Sequence, residues 1–328
     1  MRSTRAASES AACRRAATMG YEDPLLTIAM LEDRVRTDSV VAAIRRVVRE
    51  GDVVLDVGAG IGINTMAAVR AGARRVYAIE AASLRQTAHR LFDANGLLDR
   101  ITYIQGDALE VCLPEKADVL ICDLSSGHPL DSYPFSVITS VRDRLLKVEA
   151  RLIPLRMRVY ALPISVPEAF AARYTYVPAA VTRWSDWYGM SLHRLSASDA
   201  EPRPRYLNPV DVRDWPRLTA PIPIATCDFP DTADFPETAV QWARVRQSGE
   251  LNGMMLYFDI DYSDLHVVSN HPDAGDRKVA WASPLYFSPG STRVSAGDLV
   301  EVAYYFNRQK TPVVSFRSIT KAKRTGAR

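Results

Sequence analysis

The sequence predicts an α/β domain built on a doubly wound parallel sheet, followed by an antiparallel β-barrel domain. Residues 53–62 read VVLDVGAGIG, an apolar run that breaks into closely spaced glycines. From there to about residue 147, strand-like and helix-like stretches alternate, the signature of a parallel sheet with crossover helices. Beyond Pro154 the pattern changes to short runs (RMRVYALPI, GMMLYFDIDY, VAWASPLYF, DLVEVAYYF, VVSFRSI) separated by Pro, Gly, Asn and Asp. Runs of that kind read as an antiparallel sheet or barrel.

The elements follow in order. Residues 1–20 are rich in Arg, Ala and Ser, lack the apolar stretch of a signal peptide, and read as a flexible arm. Residues 21–50 read as helical, with Met30, Leu31, Val35, Val40, Val41 and Ile44 at helical spacing before Glu50-Gly51. A strand at 53–57, a helix at 63–72, a strand at 75–79 and a helix at 83–95 come next. Strands at 101–104 and 117–122 and a helix at 135–147 complete the first domain, taken as 21–154. In such sheets ligands sit at the carboxyl ends of the strands. Asp56, Glu80, Asp107 and Asp123 all fall at those ends. The second domain, 155–328, contains a proline-rich, charge-alternating stretch at about 190–236 that reads as an irregular insertion.

Composition narrows the function. The 328 residues suit two domains. With 41 basic and 38 acidic residues, the net charge of +3 is too balanced to imply a nucleic-acid or membrane partner. No stretch approaches the ~20 apolar residues of a membrane span. Cys13, Cys112, Cys122 and Cys227 show no C-x-x-C spacing and read as free thiols in a reducing, cytoplasmic setting. No metal site is expected.

The glycine turn specifies the ligand. Gly58, Gly60 and Gly62 let a ligand approach the backbone, and the helix that follows offers unpaired N–H groups. Their spacing, G-x-G-x-G, differs from the G-x-G-x-x-G of dinucleotide sites. Asp56, two residues before the first glycine, would repel a pyrophosphate but could hold an α-ammonium group, directly or through water. Glu80, 18 residues after Gly62, suits a ribose diol, because a carboxylate accepts from both hydroxyls. Together these features point to S-adenosyl-L-methionine, with S-adenosyl-L-homocysteine as the product.

These segments resemble the protein arginine methyltransferase (PRMT) family over most of the chain, from about Tyr21 to Thr320. MLEDRVRT (30–37) is similar to the family's N-terminal helix, and VVLDVGAGIG with AAVRAGARRVYAIEAA to its cofactor core. VRDRLLKVEARLIP (141–154), WSDWYG (184–189), LNGMMLYFDIDYS and VAWASPLYF resemble later family segments. The resemblance implies a class I methyltransferase domain, a β-barrel domain, a dimerisation arm within the insertion, and a homodimer. It assigns Arg36 to the cofactor carboxylate and Met30 to the sulfonium, and puts Asp107 and Ala108 near the adenine.

The acceptor half departs from the family. Its two-glutamate hairpin corresponds here to CDLSSGHPLDSYPF (122–135), with Asp123 at the first glutamate position and Ser132, beside Asp131, near the second. The Thr-His-Trp loop reads Val279-Ala280-Trp281, and an N-terminal tyrosine pair is reduced to Tyr21. Asp123, Asp131 and His128 are the candidate catalytic groups, for holding a cationic acceptor and taking its proton. Tyr21, Ser132, Tyr188 and Trp281 are candidate pocket walls. Because two glutamates suit the planar guanidinium fork and a single aspartate suits a compact amine, the expected reaction is N-methylation of an amine on a small metabolite or modified ribosomal peptide. The alternatives are arginine methylation, free or peptidyl, by a rearranged site, and a non-catalytic cofactor-binding scaffold.

Overall fold

The computed structural model describes residues 24–124, 128–195, 204–231, 238–275, 280–307 and 310–319. The first helical region is two helices, α1 (Pro24–Glu32) and α2 (Arg34–Val47), where periodicity alone predicts one. Asp33 makes the break. Its carboxylate caps α2 by accepting from Arg36 N at 3.2 Å, and its other oxygen accepts from Ala280 N at 2.8 Å. One buried acid therefore starts a helix and ties it to the second domain.

The parallel sheet follows the sequence closely: β1 (Val53–Val57), α3 (Ile63–Arg70), β2 (Arg75–Glu80), α4 (Arg85–Ala94), β3 (Ile101–Gln105), β4 (Ala117–Cys122) and α5 (Ser132–Leu145). All five residues of β1 are buried, as a central strand covered on both faces requires. A further strand, β5 (Leu146–Ile153), leaves α5 without a loop and pairs parallel with β4. The strand order is β3-β2-β1-β4-β5. The helix expected to reach 147 ends earlier, and Lys147, Val148 and Glu149 are exposed on this edge strand.

The second domain holds two antiparallel sheets. One runs β7 (Arg205–Leu207), β12 (Ser283–Val294), β10 (Gly249–Asp261), β6 (Arg156–Ile164), β8 (Ile222–Asp228), with β11 (Val267–Ser269) paired to β10. The other runs β14 (Lys310–Ile319), β13 (Leu299–Asn307), β9 (Thr238–Arg244). The stretch expected as an irregular insertion up to 236 thus contains two strands of the first of these sheets, β7 and β8. Ile222, Ile224, Ala225 and Cys227 of β8 are buried, and β8 pairs with β6. Two helices that lacked a sequence signal, α6 (Glu168–Ala171) and α7 (Pro178–Tyr188), precede it. One apolar core joins both domains, from Ile44, Leu55, Ile79 and Leu120 to Phe258, Tyr262 and Val302. Among the described residues no helix is long and apolar enough to cross a membrane.

Candidate active site

The glycine turn lies between β1 and α3. Gly58 has φ +75°, and a Cβ there would fall 2.2 Å from Leu124 Cδ2, so the turn and the loop after β4 pack without room for a side chain. Gly60, at φ +54°, meets nothing within 4 Å of its Cβ position and lines an open cavity. Gly62 caps α3 in the left-handed region and packs on Phe92.

Glu80 ends β2 and reaches across this turn. Its Oε2 accepts from Gly60 N at 2.8 Å and its Oε1 from Ala82 N at 2.7 Å. The Ala81 backbone N–H also bonds this carboxylate, which with about four acceptor sites in all retains one for a ribose hydroxyl. Burial raises the Glu80 pKa, against the opposing effect of these backbone N–H groups.

Asp56 lies behind the turn and does not line the cavity. It is 1% exposed and accepts from Thr65 Oγ1 at 2.6 Å, which anchors the start of α3. Burial pushes its pKa up to about 7, with the charges of Asp123 and Glu80 adding and the Thr65 bond opposing. Its ordinary value is 3.8, so the folded state holds the proton more tightly than the unfolded chain. The sign follows: the protein is more stable below about pH 4 on this account and loses that stability as pH rises through about 7. At about 1.4 kcal/mol per pKa unit the loss is at most about 4 kcal/mol. Urea unfolding of the protein alone is expected to show stability falling from about pH 4 to about pH 7, and Asp56→Asn to remove most of that fall. An unchanged slope in Asp56→Asn would locate the titration elsewhere.

The carboxyl end of β4 brings together groups from three distant segments. Arg36 Nη2 donates to Asp123 Oδ2 at 2.5 Å, and Tyr262 Oη donates to Asp123 Oδ1 at 2.9 Å. The Arg36 guanidinium carbon lies 5.4 Å from the centroid of the Trp281 ring, which packs on Phe258. Burial works against the Arg36 charge, but Asp123 and its other neighbours outweigh it and hold the pKa above its ordinary value. Arg36 Nε is buried with no hydrogen-bond partner among the described residues. A buried guanidinium with a spare donor fits a ligand carboxylate. With Glu80 and the open face of Gly60, it fits the two polar ends of S-adenosylmethionine. Met30, Arg36, Gly58, Gly60, Glu80, Asp123 and Asp131 line one cavity.

Other predicted residues fall elsewhere. Asp131 lines the cavity and also caps α5, accepting from Tyr133 N at 3.1 Å. His128 is buried between the domains: Nδ1 accepts from Leu130 N at 3.1 Å, and Nε2 faces Tyr286 Oη at 2.8 Å. Burial pulls its pKa down to about 4, so it is neutral near pH 7 and pins its loop to β12. Asp107 is a buried turn acid accepting from Leu109 N, the Ala108 carbonyl accepts from Arg144, and neither residue lines the cavity. Trp281 is buried and meets the site through Arg36. Tyr188 is 61% exposed at the end of α7 and is not brought to the cavity. Tyr21 lies outside the described residues, as does the Ser132 side chain. Sequence reading missed Asp33, Thr65 and Tyr262. An acid opening a helical run is a cap signal that could have found Asp33; Tyr262 is joined to Asp123 only by the fold.

Comparison with known proteins agrees with this geometry. A family model described as ribosomal protein L11 methyltransferase (PrmA) matches residues 35–127. A probable protein arginine N-methyltransferase 6 of Arabidopsis thaliana is 30% identical over 243 residues, covering 71% of this chain and 53% of that protein. The protein arginine N-methyltransferase PRMT10 of the same plant is 26% identical over 306 residues, covering 86% and 79%. The Trypanosoma brucei PRMT1 enzyme-prozyme heterotetramer, solved with AdoHcy, superposes with a TM-score of 0.73 at 19% identity, covering 92% of this chain and 100% of that one.

The chain is PRMT-like, with a class I S-adenosylmethionine methyltransferase fold. It spans about half the length of the first of these relatives. One expectation is corrected. The rewritten hairpin suggested a small-metabolite or modified-peptide amine as acceptor, but the relatives are named for arginine. Losing two glutamates from a motif says what is missing, and an acid such as Asp123 can still meet a guanidinium, as it does with Arg36.

Proposed function

We propose that this PRMT-like chain transfers a methyl group from S-adenosylmethionine to a guanidinium nitrogen of arginine, in a peptide or protein. The observation that carries this reading is the convergence of Asp123 and Asp131 on the cavity that also holds Arg36, Gly60 and Glu80. The names of the relatives support the acceptor. S-adenosylmethionine would supply the methyl group and leave as S-adenosylhomocysteine. Arg36 and Glu80 would hold its two polar ends. Asp123 and Asp131 would hold the cationic acceptor in line and take the proton released on transfer. The test supplies labelled cofactor with Gly-Arg-rich peptides and with the same peptides carrying Lys in place of Arg. Label in the arginine peptides alone is expected; label only on amines would overturn the reading.

We also propose a homodimer. Helix α7 and the turn after it expose Trp187, Tyr188 and Met190 at 65%, 61% and 63%, and α1 and α2 expose Leu25, Ile28 and Val35. Large exposed apolar residues on two faces fit a reciprocal contact. Light scattering at micromolar concentration is expected to give twice the chain mass, and Trp187→Glu to halve it. A wild-type monomer would refute the dimer.

A further inference from the structure

We propose that Tyr262 is a positioning residue of the acceptor site, its hydroxyl fixing the plane of the Asp123 carboxylate so that it meets the acceptor guanidinium in register. The proposal rests on the arginine reading above and adds a residue to it.

Tyr262 follows the last residue of β10, and its side chain is 0% exposed within the core that joins the two domains. Its backbone N–H donates to the His266 carbonyl at 2.8 Å, which fixes the chain where the ring enters the core. Burial, with the charge of Asp123 adding, raises the Tyr262 pKa well above its ordinary value, so the hydroxyl stays protonated. It is therefore a permanent donor, 2.9 Å from Asp123 Oδ1. Tyr262 does not line the cavity, so it acts on the reaction through the side chains it touches there, Asp123 foremost and Arg36 beside it.

The carboxylate needs this second anchor. The terminal torsion of an aspartate is broad, so a single contact leaves the carboxylate plane free to turn. Arg36 supplies one contact, on Oδ2, and Tyr262 supplies the other, on Oδ1. Two donors on opposite oxygens set the plane and leave roughly one acceptor site on each oxygen, the pair a guanidinium edge can use. Arg36 has a second use, because its spare buried Nε–H fits the cofactor carboxylate. Arg36 is thus shared between Asp123 and the cofactor, and Tyr262 is the second hold on the acid. The hydroxyl also interacts with the Arg36 side chain, so it braces both members of the ion pair; a phenyl ring would fill the same space, and burying a hydroxyl is unfavourable unless it is bonded.

The experiment is a double-mutant cycle on the full chain with cofactor and an arginine peptide. Tyr262→Phe is expected to lower kcat/KM for the peptide about 10-fold to 100-fold, the range for a hydrogen bond to a charged group, with the cofactor Kd changed less than about twofold. In an Asp123→Asn background the same substitution should cost less than about threefold. An equal loss in both backgrounds, or a cofactor Kd weakened as much as kcat/KM, would overturn the positioning role. Urea midpoints for the same four proteins give a readout independent of the acceptor. If wild type labels no arginine peptide, the arginine reading has failed on its own. The urea cycle then still decides the tether: non-additive midpoints support it, and additive ones overturn it.

Discussion

Asp123→Asn is expected to reduce methyl transfer by about 10²–10⁴ while leaving S-adenosylmethionine binding intact or tighter. The substitution keeps the shape and removes the charge. Its effect on turnover follows from the place of Asp123 at the end of β4, lining the cavity beside Asp131. Its effect on the cofactor follows from the ion pair. Arg36 and Asp123 are almost enclosed, with side chains 11% and 5% exposed. Removing one charge of a buried pair leaves the other uncompensated, at a cost on the order of 3–5 kcal/mol. The protein alone should therefore unfold at lower temperature. A cofactor carboxylate can replace the lost partner, so the melting-temperature rise on adding cofactor should be larger in Asp123→Asn than in wild type. Labelled transfer, calorimetry and thermal unfolding read the three quantities. Wild-type turnover in the variant would remove Asp123 from the acceptor site, and lost cofactor affinity would assign it to the cofactor instead.

The sheet was legible because its signals are local. An apolar run ending in glycines, and helices of regular period between strands, need no knowledge of distant contacts. Glu80 was legible for the same reason, since its role depends on a strand end and a glycine turn beside it in one βαβ unit. The errors fall where local signals were mixed or where a contact crosses domains. Residues 146–153 carry alternating charges that resemble a helix exit, and only pairing with β4 makes them a strand. β8 sits among prolines that suggest loop, yet its apolar residues face a core supplied by β6.

The acceptor side was the least legible. His128 looked like a candidate base because it lies in the rewritten hairpin. Its Nδ1 is taken by Leu130 N in the same loop, its Nε2 faces Tyr286 on β12, 158 residues away, and burial leaves it neutral and occupied. Asp123 looked like an isolated carboxylate. Folded, it is one vertex of a network with Arg36 from α2 and Tyr262 from the end of β10. Sequence reading counted missing glutamates and inferred a changed acceptor, because hydrogen bonds to the remaining acid are visible only in three dimensions.

Glu80→Ala is expected to weaken S-adenosylmethionine binding by roughly 2–4 kcal/mol, about 30-fold to 1,000-fold in Kd. Two losses contribute. Removing the carboxylate deletes the acceptor for a ribose diol, and it frees Gly60 N and Ala82 N, which Glu80 joins across the glycine turn. A loop no longer braced must be ordered by the cofactor itself, at a cost in binding. Glu80→Gln separates charge from shape. Its amide nitrogen would have to face a backbone N–H that the carboxylate now accepts from, so it too should bind more weakly, though less so than Ala. The raised pKa of Glu80 adds a pH signature. Protonation removes an acceptor site, so wild-type affinity should fall with decreasing pH sooner than an ordinary carboxylate would allow, and Glu80→Gln should reduce that dependence. Calorimetric titrations of wild type and both variants across pH test each part. A folded Glu80→Ala with wild-type affinity would place the ribose elsewhere in the cavity, and a pH dependence undiminished in Glu80→Gln would assign the titration to another group.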